Sequence, residues 1–167
     1  MVRRVYVEKK PHLRQEAAGL YQELQTLLGI TRLSEVRLLN RYDVEGLDEE
    51  TFARAVRTVF SEPQVDDVSA ALPAQDAVAF AVEYLPGQFD QRADSAEQCV
   101  KLLKEDEEPV IRSATTYVIT AALTPEQEKA IKAFCINPVD SREAGEDKRS
   151  TLVAGLEVPE DIKSVVC

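Results

Sequence analysis

The chain is poor in the residues that most hydrolytic and metal-dependent enzymes rely on. Of 167 residues only His12 is a histidine and only Cys99, Cys135 and Cys167 are cysteines, with no CxxC pair. An odd, unpaired set points away from a disulfide framework and from a structural zinc site. A Cys/His pair would have to use His12, which follows Pro11 in an expected loop, and Cys99 and Cys135 are expected as small apolar residues on helix faces. No Gly-rich phosphate loop, HExxH, GxSxG or acidic calcium loop occurs. No run is long and apolar enough to span a bilayer, and the start MVRRVYVEKK has no apolar signal core, so a cytoplasmic protein is expected. Positive charge is scarce as well. Lys and Arg number 20 against 30 Asp and Glu, and the net charge of -10 argues against a nucleic-acid or anionic-membrane partner.

What is present is an ordinary globular composition, 44% hydrophobic and 30% charged. That is enough for one substantial core, or for two small halves that share one. Val5 and Val7 alternate with Tyr6 and Glu8 in a strand that Pro11 stops. Ala17, Leu20, Tyr21, Leu24, Leu27 and Leu28 then recur at helical spacing up to Gly29, a C-terminal cap. In the next strand Val36, Leu38, Tyr42 and Val44 share one face, and Arg37, Arg41, Asp43 and Glu45 make the other a wet one. Asp48 caps a second helix with Glu49 and Glu50 in its first turn and Phe52, Val56, Val59 and Phe60 as its stripe.

Ser61 to Asp76 lacks a sustained period and reads as a connector. Beyond it the pattern restarts, with a strand over Val78 to Tyr84, a Pro86-Gly87 turn, a helix over Ser95 to Lys104, a strand over Val110 to Ala121 and a helix over Pro125 to Cys135. Thr124, Pro125 and Gln127 form a capping box with proline at the first helical position. Aligning residues 7–63 with 82–138 needs no gap and gives ten identical pairs, among them Glu8/Glu83, Pro11/Pro86, Ala18/Ala93, Tyr42/Tyr117 and Pro63/Pro138. Composition alone would give about four.

The expected fold is therefore α+β. Two tandem βαβα(β) half-units are related by pseudo-two-fold symmetry, their sheets covered by helices and either joined or packed face to face. The first half is 1–63, the connector 64–77 and the second half 78–138. Residues 139–167 are expected to add a short strand and a linker toward further domains.

Clustered carboxylates occur in Glu49-Glu50 and in Glu105 to Glu108, but the former suit a helix start and the latter a solvated loop. The stretch FAVEYLPGQFDQRADSAEQC, Phe80 to Cys99, is the unusual junction. Asp94 with Glu97, or Ser95 with Gln98, would make a capping pair, and Arg92 beside free helix amides would favour an anion.

LLNRYDVEG (Leu38 to Gly46), FSEPQVDDV (Phe60 to Val68), the Phe80 to Cys99 stretch and INPVDSREA (Ile136 to Ala144) resemble the N-terminal domain of the large, single-chain phosphoribosylformylglycinamidine synthase family. The resemblance runs from the start to about Thr151. It implies a ligase of purine biosynthesis that uses ATP, Mg2+ and ammonia released from glutamine, and an N-terminal domain built like a dimer of the small accessory subunit found in split versions of the enzyme.

The ATP site and the glutaminase residues of that family lie outside this stretch, so the resemblance implies no catalytic residue, metal or cofactor in this chain. Its implied partners are the synthetase and glutaminase domains, and a homodimer of the isolated domain is compatible with it. The loop Gln88, Asp90, Gln91, Arg92, Asp94 and Ser95 is expected to face those domains or their active site. Two other readings stand beside it: a small-molecule regulatory module binding an effector between duplicated halves, and an autonomous enzyme using the Gln88 to Ser95 junction.

Overall fold

The computed structural model describes residues 2–71, 78–106 and 108–145. Its α+β chain forms a six-stranded antiparallel sheet with four helices on one face. Strand β1 (Val2–Lys9) leads through a short turn of 3-10 helix at Pro11–Leu13 into α1 (Gln15–Thr26), and β2 (Leu33–Glu45) follows. Helix α2 (Glu49–Ala55) widens into a π turn over Val56–Phe60 before β3 (Asp66–Ser69). Next come β4 (Val78–Tyr84), α3 (Gln91–Leu103), β5 (Val110–Ala121), α4 (Pro125–Cys135) and β6 (Ser141–Ala144). The strand order is β3-β1-β2-β5-β4-β6, with the two longest strands at the centre.

Local chemistry sets the boundaries. Asp48 accepts the Thr51 amide at 2.7 Å to cap α2, and Thr124 and Gln127 close the capping box of α4 with Pro125 at its first turn. Gly29, at φ +68°, turns the chain after α1, and the Ile30 amide then donates back to the Leu24 carbonyl. Leu27 leaves the expected stripe and lies exposed, because the helix ends one residue before it.

Two hydrophobic cores lie under the helices. One joins Val5, Val7, Tyr42, Val44 and Phe60 to Ala93, Ala96, Val100 and Ile111, so α2 packs beside α3. The other joins Leu24, Ile30, Leu33 and Val36 to Phe80, Ile119 and Ile131, so α1 packs beside α4. Each core thus draws on both 1–63 and 78–138. Val36, Tyr42 and Val44 lie an even number of residues apart along β2, so both cores share one face of the sheet.

The opposite face corrects the expectation of a wet β2. Arg41 and Asp43 are buried there, and Leu39 and Val118 are each only 2% exposed beside Tyr6. A buried carboxylate needs hydrogen bonds, and Arg4 supplies two, its Nε to Asp43 Oδ1 at 2.6 Å and its Nη2 to Oδ2 at 3.0 Å. Arg37 forks onto Glu8 in the same way. The segment expected as a connector, 64–77, also carries a strand, since β3 pairs with β1 through Tyr6↔Ser69 to Lys9↔Asp66. Cys167 and most of 139–167 lie outside the described residues.

Candidate functional site

The junction between β4 and α3 exists because β4 abandons its neighbour. β4 pairs with β5 only as far as Val82↔Thr115, after which Glu83 and Tyr84 continue against β6. The Leu85 amide donates to Asp140, the Gln88 amide closes a turn onto Leu85, and Gly87 takes φ +92°. The lower edge of β5 is left without a strand beside it, so its amides need other acceptors.

Helix α3 provides them. Asp90 Oδ2 accepts the Ser113 amide at 2.9 Å, and Glu97 Oε2 accepts the Ile111 amide at 2.8 Å. Asp90 also accepts the Ser113 hydroxyl and, through Oδ1 at 3.0 Å, the Ala93 amide. One carboxylate therefore caps the helix and fastens it to the sheet.

This corrects the expected helix start. Helix α3 begins at Gln91 rather than Ser95, because Asp90 caps it, four residues before Asp94 and five before Ser95. Neither expected capping pair forms. Asp94 instead accepts from Gln98 at 2.8 Å, and Glu97 turns to β5. In the first turn of α3 the Ala93 amide is taken by Asp90.

The six expected site residues fall on two sides of the first turns of α3. Gln91, Arg92 and Ser95 are exposed and line a cleft of about 630 Å³ over the centre of the sheet, floored by Tyr42, Thr115 and Tyr117. Arg92 Nη1 donates to Asn40 Oδ1 at 2.7 Å. Gln88, Asp90 and Asp94 line a second cavity of about 710 Å³ that opens toward the other face and meets Arg4, Arg41, Arg112 and Arg142. Ser113, Glu97, Asn40 and Arg41 belong to this architecture and were not singled out from the sequence as site residues. The spacing of Ala93, Ala96 and Val100 is the signal that would have moved the helix start back to Asp90.

Burial pushes the Cys135 thiol up to about 11, away from the thiolate, and Cys99 is exposed on α3. Tyr117, on the cleft floor, is pushed up to about 12 mainly by burial. His12 is exposed in its 3-10 turn, as are Glu105, Asp106 and Glu108 in their loop. Among the described residues no group of three His, Cys, Asp or Glu is placed to hold a metal ion, and no helix is long and apolar enough to cross a membrane.

Around the junction apolar side chains face water. Phe89 is 67% exposed and Val139 78% exposed, on loops tied together by the bond from Leu85 to Asp140, with Tyr84 at the adjoining strand end. No known family model matches the chain, and no curated protein matches it.

Proposed function

We propose that this chain is an internally duplicated assembly domain that docks onto catalytic partners through the β4–α3 junction. Its role is that of the N-terminal domain of a large, single-chain phosphoribosylformylglycinamidine synthase. On this reading the domain holds synthetase and glutaminase parts together and helps shape the route of ammonia between them. Its contribution to turnover is shielding and positioning, with ATP and Mg2+ bound by the partners.

The observation that carries the docking role is the exposed apolar group Tyr84, Phe89 and Val139 on the loops of the junction. Asp90 and Glu97 support it from behind, since they fix α3 to β5 and so hold the loop in one place.

Recurring register supports the duplication. Val5↔Tyr42 and Phe80↔Tyr117 are equivalent at an offset of 75, as are Tyr6↔Ser69 and Ala81↔Ala144. Asn40 and Thr115, themselves 75 apart, pair with each other at the centre of the sheet, where a pseudo-two-fold axis would pass. In the helices burial aligns Ala17, rather than Ala18, with Ala93 and Leu24 with Val100, at 76, so the duplicate carries one residue more before α3 and one fewer after it. Each core is shared between the halves, as in a dimer written in one chain.

Activity measured with separately produced synthetase and glutaminase parts tests the role. Glutamine-dependent turnover is expected to need this chain, and the chain alone is expected to have none. Turnover by the chain alone, or full activity without it, would overturn the proposal.

A further inference from the structure

Arg41 is a buried cation whose hydrogen-bonding capacity is mostly unspent. It is 5% exposed on the face of the sheet away from the helices. A guanidinium has five N–H donors. Among the described residues, Arg41 makes one hydrogen bond, from Nη1 to the Gly145 carbonyl at 3.0 Å, and its Nε stands 3.8 Å from Asp43 Oδ2. Both oxygens of Asp43 already accept from Arg4.

The strand register adds a third guanidinium. Asp43 lies between Arg4 on β1 and Arg112 on β5, and Arg41, opposite Ala114, is the diagonal neighbour of Arg112 on the same face. Among the described residues Arg112 donates only to the carbonyl of Ile111, at 3.1 Å. Arg37, 75 residues earlier, forks onto Glu8, whereas Glu83 at the corresponding place accepts from Arg142. Arg41 and Arg112 both line the 710 Å³ cavity behind the junction loop. The carboxylates on its wall are engaged, Asp90 and Glu97 by β5 amides, Asp94 by Gln98 and Glu83 by Arg142.

We infer that this cavity binds a small molecule through an oxyanion, a carboxylate or a phosphate, gripped by Arg41 and Arg112. Two guanidiniums with free N–H groups on one wall match the paired oxygens of either anion. Burial and the neighbouring Arg4 push the Arg41 guanidinium below its ordinary affinity for protons, and the charge of a bound anion opposes that shift. The five carboxylates around the cavity favour a singly charged carboxylate over a phosphate dianion. This inference goes beyond the assembly role and stands without it.

The test is a titration of the isotope-labelled chain with sodium acetate and, separately, inorganic phosphate at constant ionic strength, following the Nε–H signals of Arg41 and Arg112. Saturable shifts of both signals are expected below about 20 mM of at least one anion, and the tighter binder identifies the group. Arg112→Gln is expected to weaken that binding about fivefold or more, and Arg112→Lys to restore only part of it, because lysine keeps the charge and loses the fork. Each variant's melting curve establishes that it is folded. No saturable shift with either anion, or unchanged affinity in a folded Arg112→Gln, would overturn the inference.

Discussion

Asp90→Ala removes three interactions at one point, and the size of the loss can be worked from their geometry. The helix cap on the Ala93 amide is worth about 1 kcal/mol. The Ser113 amide, at the free edge of β5, would be left without its acceptor at a further cost of about 1 kcal/mol, and the Ser113 hydroxyl loses a bond of similar or smaller value. The expected total is about 2–3 kcal/mol, or a fall of roughly 4–12 °C in melting temperature for a chain of this size. Urea unfolding followed by circular dichroism measures it. A double-mutant cycle with Ser113→Ala is expected to give a coupling of about 0.5–1 kcal/mol. Arg92→Ala, which removes one exposed bond to Asn40, is expected to change stability by less than about 0.5 kcal/mol. An Asp90→Ala variant as stable as Arg92→Ala, or zero coupling to Ser113, would refute the argument that one carboxylate fastens α3 to the sheet.

Three further outcomes are expected. Gly46 has φ +96°, and a Cβ there would stand 2.6 Å from the Glu108 carbonyl oxygen, so Gly46→Ala should cost about 2 kcal/mol or more in the same unfolding assay. Phe80, 2% exposed and stacked on Tyr117 at a ring distance of 5.0 Å, should cost about 3–5 kcal/mol when cut to alanine. The third concerns Cys135, whose folded thiol keeps its proton to about 11 while the unfolded one ionises near 9.0. Above pH 9 the unfolded state therefore binds fewer protons, and stability falls as pH rises toward 11. Cys135→Ala should flatten that fall, as read by urea unfolding across the pH series.

Periodicity made much of the fold legible. The strands Val78–Tyr84 and Val110–Ala121 and the helix Pro125–Cys135 have the expected bounds, because alternation or a capping box marks each end locally. What could not be read depends on partners distant in sequence. Arg41 and Asp43 looked solvated because the residue that satisfies Asp43 is Arg4, 39 positions away. β3 is four residues long and half acidic, so it shows no alternation, and only its pairing with β1 makes it a strand. At the junction the sequence singled out Gln88 to Ser95, and the structure gives several of those residues other parts. Asp90 was grouped with residues expected to meet another domain, yet its acceptors are spent on Ala93 and Ser113. The apolar Phe89 beside it, passed over for its polar neighbours, is the large hydrophobic side chain of the loop that faces water.

The proposed docking role is tested most directly by sedimentation velocity of this chain mixed with synthetase and glutaminase parts produced without it. The account predicts a stoichiometric complex that Phe89→Ser and Val139→Ser weaken, while each variant keeps its melting temperature. Independent sedimentation of the components, or a complex indifferent to both substitutions, would contradict it.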